Sequence, residues 1–286
     1  MGRIVVGIDE SAGAAAALWW AAAEAEARSW SLTALLAWGF LDQHHATVGE
    51  PFDPAYGESD ARAALDAIVA EVVGTPPAAT IDRKVVCDRP ARALLEASEG
   101  ADLLVVGARG LGGFRGLLLG SVSQQCLHHA TCPVAVVREG VQRAREGVGR
   151  IVVGIDGSDA ARRALDWALE EGRVHRASVE AVHAWALPYA GGELFAAGLY
   201  DPEPFEGAAR NVLDEAVESA DASGLAAPVT RTVTNGSAAR AILVAAEDAD
   251  LVVVGSRGVG GFKGMVLGSV SHSVAHRATC PLIVVP

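Results

Sequence analysis

Short runs of consecutive apolar, β-branched residues alternate along this chain with longer segments rich in Ala and Leu. Runs such as IVVG and LLVVG, apolar at every position, are the pattern of parallel strands covered by helices on both faces. The alternation predicts strands near 3–8, 32–38, 81–86, 102–107 and 133–138, with helices near 12–28, 60–73, 90–99 and 121–130. It then starts again, with strands near 150–155, 178–185, 229–234, 250–255 and 281–285 and helices between them. Five strands alternating with four helices imply a parallel sheet, right-handed crossovers and helices on both faces. Each half therefore reads as a doubly wound α/β domain.

The second half is a copy of the first. IVVGID stands at 4–9 and again at 151–156, and residues 105–137 align without gaps to 253–285, matching at 21 of 33 positions. The offset moves only from 147 to 148 between these segments. So long a period is domain duplication, since solenoid repeats run to ~20–50 residues. The expected organisation is a first domain at 1–139, a linker at 140–149 within the charged, Gly-containing stretch 138–150, and a second domain at 150–286. A length of 286 residues agrees with two domains of ordinary size.

Composition narrows the partners. Half the residues (51%) are hydrophobic and 20% are charged, which excludes a disordered chain. Aromatics are only 5%, so the core is aliphatic. The net charge of −12 argues against nucleic acid and anionic membrane as partners, both of which need a basic surface. The longest apolar run, Ala14 to Ala23, ends at Glu24, well short of the ~20 residues that span a bilayer. No basic-then-apolar leader precedes the first strand, and Val6 stands where a myristoylation signal needs Ser or Thr. Four cysteines (Cys87, Cys126, Cys132, Cys280) do not make a disulfide framework in a chain of this size. A reducing, cytoplasmic setting is expected.

The candidate chemistry follows the fourth strand of each half. Gly107-Ala108-Arg109-Gly110 is followed after nine residues by Gly120-Ser121; Gly255-Ser256-Arg257-Gly258 is followed after nine by Gly268-Ser269. Glycine lets a backbone approach a ligand closely. A new helix at Gly-Ser presents unpaired N–H groups and the positive end of its dipole, which suit phosphate. Ser121 and Ser269 can cap that helix or donate to a phosphate oxygen, and Ser121 with Gln124 reads as a capping box that His272 breaks in the second half. Arg109, Arg115, Arg257 and Lys263 set cations beside the loops. Neither GxxxxGK[ST] nor GxGxxG is present, so this is neither a P-loop nor a dinucleotide fingerprint.

The first strand ends at Asp9 in one half and Asp156 in the other, just ahead of Ser11 and Ser158. Ligands in open α/β sheets lie at the carboxyl ends of strands, where strand order reverses. With strands one and four adjacent there, Asp9 would face the loop across a crevice and accept from a sugar hydroxyl or base amine; capping the first helix is the plainer alternative. Trp20 and Trp167 match inside the first helix, where core packing is expected. Trp38 and Trp185 match at the end of strand two, where they can also wall a crevice.

A first strand ending in GID, a G-x2-G-x9-G-[ST] loop and a closing ATCP strand, each present twice, resemble the universal stress protein family in its tandem form. The resemblance implies a Rossmann-like sheet of order 3-2-1-4-5 in each half and ATP binding where the glycine loop is intact, with magnesium as a candidate companion ion. It implies that Gly7, Asp9 and the Trp38 backbone border the adenosine, with Gly107, Ala108, Arg109, Gly110, Gly113, Gly120, Ser121 and Val122 around the phosphates. The second half gives Gly154, Asp156 and Trp185, then Gly255, Ser256, Arg257, Gly258, Gly261, Gly268, Ser269, Val270 and Ser271. Trp at the end of strand two departs from the small or branched residues of relatives. The family also implies pairing of domains through the last strand, PVAVV at 133–137 and PLIVV at 281–285, and hence a homodimer.

The expected function is one ATP per half, regulating stress or dormancy responses through nucleotide-dependent binding of a protein partner or assembly. The alternatives are a weak ATP hydrolase or phosphotransferase using Asp9 and Asp156, and an assembly module with vestigial sites. His128-His129 with Cys132 offers too few ligands for a metal centre, since Arg277 replaces the second His in the other half. His44-His45 has no counterpart and reads as solvated loop. The loops 51–60 and 188–207, rich in Pro, Gly and acid, are candidate lids or partner surfaces.

Overall fold

The computed structural model describes residues 2–39, 56–74, 81–111, 118–140, 149–186, 201–260 and 267–286. The chain divides into two compact units, Met1–Arg143 and Ala144–Pro286. The first runs β1 (Arg3–Ile8), α1 (Ala12–Arg28), β2 (Ser31–Trp38), α2 (Glu58–Val73), β3 (Ile81–Cys87), α3 (Pro90–Ala97), β4 (Leu103–Gly107), α4 (Ser121–His129) and β5 (Val134–Val137). The second runs β6 (Arg150–Ile155), α5 (Asp159–His175), β7 (Ser178–Trp185), α6 (Glu203–Ser219), β8 (Thr230–Asn235), α7 (Ala238–Ala245), β9 (Leu251–Gly255), α8 (Ser269–Arg277) and β10 (Leu282–Val285).

Every strand pair within a unit is parallel, in the order β3-β2-β1-β4-β5 and its counterpart β8-β7-β6-β9-β10. Ile4, Val5 and Val6 lie opposite Leu103, Leu104 and Val105, and all six are fully buried. That is why these strands carry no polar alternation: helices cover both of their faces. β3 is different, with Asp82, Arg83 and Lys84 exposed, the charged pattern of a sheet edge. Among the described residues no helix is long and apolar enough to cross a membrane.

The helix starts explain where the loops sit. Ser11 and Ser158 are the N-caps of α1 and α5, accepting from the Ala14 and Ala161 N–H groups at 3.1 Å. The capping-box reading of Ser121 does not hold. Gly120 is the N-cap of α4 and Gly268 that of α8, neither with a side-chain bond, so Ser121 and Ser269 are already the first helical residues. One residue further in, their hydroxyls are exposed rather than spent on the helix end. The candidate lid loops are also shorter than expected, because α2 begins at Glu58 and α6 at Glu203. Their remaining residues, 51–55 and 188–200, lie outside the described residues, as do His44 and His45.

Candidate functional site

β1 is flanked by β2 on one side and β4 on the other, so the sheet order reverses between β1 and β4. Their carboxyl ends bring Asp9 to the glycine loop. Asp9 Oδ1 accepts the Ser11 N–H at 3.0 Å and the Ser11 hydroxyl, while Oδ2 accepts the Leu111 N–H at 3.2 Å. Ser11 Oγ also reaches the Arg109 carbonyl at 3.4 Å. Unit 2 repeats this: Asp156 accepts from Ser158 N at 3.0 Å and from Val259 N at 3.1 Å, and Ser158 Oγ donates to the Arg257 carbonyl at 3.2 Å. The aspartate therefore does not cap the helix, which Ser11 or Ser158 does. It ties the turn after the first strand to a loop about a hundred residues away.

The two ends of the loop are pinned to each other. Gly120 N donates to Ala108 O at 2.7 Å and Gly268 N to Ser256 O at 2.7 Å. Ser123 Oγ donates to Gly107 O and Ser271 Oγ to Gly255 O, each at 2.6 Å. These buried serines satisfy carbonyls that the strand ladder no longer serves. The first glycine has a further reason to be there. A Cβ on Gly107 would lie 2.7 Å from the Gly13 carbonyl carbon, and one on Gly255 2.7 Å from that of Ala160. Sequence reasoning set these glycines against a ligand; their nearest neighbours are the backbones of α1 and α5.

In unit 2 the loop opens onto a cavity of about 390 Å³. Of the residues singled out from sequence, Gly154, Asp156, Gly255, Arg257, Gly258, Gly268, Ser269, Val270 and Ser271 line it. Trp185 does not: Val182 and Ala184 line the cavity from β7, while the Trp185 ring stacks on Phe205 with centroids 6.4 Å apart. Ser256 is buried beneath the loop and lies outside the lining. The opposite wall, Ile155, Ala238 and Ile242, is apolar and was not anticipated. Ile242 and Ala238 come from α7, whose small and apolar residues carry no sign that one face meets a cavity.

The corresponding positions of unit 1 share this arrangement where they are described. Gly7 packs on Leu94 of α3 as Gly154 packs on Ile242 of α7, a Cβ meeting the Leu or Ile side chain at 2.8 and 2.6 Å. Ala108 is buried, Arg109 and Gly110 are exposed, and Gly120, Ser121 and Val122 open α4. Arg109 comes within 3.7 Å of Glu139, a loose surface pair. Trp38, half-buried, meets Tyr56 edge-on with centroids 6.5 Å apart. Gly113, Gly261, Arg115 and Lys263 lie outside the described residues.

A protein-family model described as the universal stress protein family matches residues 1–138 and 147–286, one match per unit. The chain belongs to the universal stress protein family, with two of its domains in tandem. A universal stress protein of Mycolicibacterium smegmatis is 35% identical over 296 residues, which span 99% of this chain and 96% of that relative. One from Mycobacterium tuberculosis is 34% identical over 295 residues, 98% of this chain and 95% of its own length. Among solved structures, a universal stress protein from Archaeoglobus fulgidus superposes with a TM-score of 0.71 at 23% identity, covering 99% of this chain and 97% of that one. At that identity the likeness speaks to the fold: a parallel α/β sheet under helices, duplicated along a universal stress protein chain.

Cys126, Cys132 and Cys280 are buried and Cys87 is exposed. Burial pushes the Cys126 thiol up to about 12 and raises Cys132 as well, which keeps both neutral and poorly nucleophilic. Trp20 is buried in the core as expected, whereas its counterpart Trp167 is only half-buried.

Proposed function

We propose that this universal stress protein binds one ATP in each unit and that occupancy regulates its association with a protein partner or with a second copy of the chain. The observation that carries the proposal is the unit 2 cavity, which has two chemically distinct ends. At one end Val182, Ala184, Ala238 and Ile242 form an apolar wall suited to a flat base. At the other lie the glycine loop, Arg257, and the N-terminus of α8 with the exposed Ser269 hydroxyl, which together suit phosphate oxygens. A volume of about 390 Å³ falls within the ~300–1,000 Å³ of small-ligand sites. Bound there, ATP would supply a polyanion for the loop amides to order. Asp156 lines the cavity with each carboxylate oxygen accepting one backbone N–H group.

That engagement also favours binding over turnover. A hydrolase built on Asp9 and Asp156 needs a carboxylate directed at the attacking water, and these are directed at Ser11, Leu111, Ser158 and Val259. Denaturing the purified protein and assaying the released nucleotide tests the proposal. Close to two equivalents of ATP per chain supports it. Copious ADP with sustained phosphate release supports hydrolysis, and a protein that carries and takes up no nucleotide contradicts both readings. Light scattering with and without ATP then tests whether assembly follows occupancy; an unchanged mass and unchanged partner binding remove the regulatory half of the proposal.

A further inference from the structure

The second glycine of each G-x2-G pair stands where no unusual backbone conformation requires it, and a neighbouring side chain crowds it. Neither Gly110 nor Gly258 is among the residues with positive φ, so L side chains are compatible with the local conformation. A Cβ on Gly110 would nonetheless lie 2.3 Å from Asp9 Oδ2, and one on Gly258 2.1 Å from Asp156 Oδ2. The next nearest atom in each case is Cγ of the same aspartate, at 3.5 and 3.3 Å. For Gly258 the Asp156 carboxyl accounts for every described neighbour within 4 Å.

We infer that Asp9 and Asp156 are positioning residues that brace the glycine loop, and that Gly110 and Gly258 are glycine to leave room for the brace. The inference rests on the reading above that the loop holds phosphate. The carboxylate cannot swing aside without loss, because its other oxygen accepts Ser11 N or Ser158 N at 3.0 Å. It accepts from the loop at Leu111 N, 3.2 Å, or Val259 N, 3.1 Å. Backbone N–H donors to both oxygens make charge-assisted bonds and offset its negative charge where phosphate would lie. They also explain Asp rather than Asn, whose NH2 would set donor against donor at one of the two contacts. The geometry thus moves this aspartate from reading the nucleoside to shaping the loop that meets the phosphates. The aspartate and the second glycine of the family motifs form a single coupled device in each unit.

A double-mutant cycle on the full-length chain tests this, with substitutions made in both units together: Gly110→Ala with Gly258→Ala, Asp9→Ala with Asp156→Ala, and all four. The readouts are urea unfolding and amide exchange of nucleotide-free protein, and titration with ATP, GTP and tripolyphosphate. The glycine pair alone is expected to lower the unfolding midpoint, speed exchange at Leu111 and Val259, and weaken ATP and tripolyphosphate by about tenfold. In the aspartate-free background the same glycine changes should alter affinity by less than about twofold and leave the midpoint nearly unchanged, since the obstructing oxygen is gone. An equal effect in both backgrounds overturns the inference and returns the glycines to the ligand. Should the glycine pair alone fail to fold, recovery of a folded chain in the quadruple variant supports the brace and continued failure overturns it. Asp9→Asn with Asp156→Asn should weaken ATP and GTP by the same factor; a changed ATP-to-GTP ratio overturns the positioning role. If the natural protein binds none of the three probes, the function proposed above fails, while unfolding and exchange still decide the brace.

Discussion

In unit 1 the helix behind the glycine loop begins AGAAAALWWAAA, with Gly13 at the point where the loop's first glycine packs; in unit 2 it begins DAARRALDWALE, with Ala160 at the same point. Yet a Cβ on Gly107 or Gly255 would meet that helix's carbonyl carbon at the same 2.7 Å. The serine-to-carbonyl bond under each loop is 2.6 Å in both, and the aspartate-to-loop bonds are 3.2 and 3.1 Å. What the two copies share is therefore a set of backbone approaches and the few side chains that serve them. What has drifted is part of the apolar wall: Leu35, Pro90 and Leu94 of unit 1 stand where unit 2 has Val182, Ala238 and Ile242, while Ile8 and Ala37 match Ile155 and Ala184. The loop contacts are made by backbone atoms and a few shared side chains, whereas part of the apolar wall is set by side chains that differ between the units.

The comparison can be broken most severely at its shared point. Gly107→Val or Gly255→Val forces a branched side chain into the backbone of α1 or α5, and each is expected to cost about 1–3 kcal/mol or more. Urea unfolding measures this, and an unchanged midpoint would mean that the close approach is not required. A change in the apolar wall of one unit should separate the units instead. Ala184→Phe fills the apolar part of the unit 2 cavity, and is expected to remove one of two ATP equivalents while leaving the other site's affinity intact. Loss of both equivalents would show that the sites are not independent.

Smaller effects sharpen the picture. Ser123→Ala and Ser271→Ala each remove a 2.6 Å bond to a strand-end carbonyl and should cost a similar amount, about 1 kcal/mol, by chemical denaturation. Unequal losses would mean that the loops are anchored differently. The two units should also differ toward alkaline pH, because Val274 in α8 replaces Cys126 in α4. The Cys126 thiol is raised from 9.0 to about 12, so it stays protonated in the folded chain while the unfolded chain ionises. Stability from this source is complete below about 9 and is lost as pH rises toward about 12. Cys126→Val should flatten that decline, and a thiol reagent at neutral pH should label Cys87 well before the three buried cysteines.

Much of this was legible in the chain. The apolar runs mark every strand except β3 and β8, which are largely charged or polar, and duplication made the glycine loops visible, because a motif that recurs in two diverged copies stands out from its surroundings. Asp9 and Asp156 were legible as residues at a crevice but not as braces, since the decisive contact is with Leu111 or Val259, and only packing brings them together. Ser121 was misplaced by one position because Gly120 can serve as N-cap with no side chain, leaving the hydroxyl at the next residue unspent. The apolar wall escaped because Ile242 and Leu94 lie on short helices whose buried faces look like any other core.

Titration calorimetry of nucleotide-free protein with ATP tests the central claim most directly. The structure leads us to expect saturation at two ATP per chain for the natural protein and one for Ala184→Phe. No heat and no saturable binding in the natural protein, with the fold intact by circular dichroism, would contradict it.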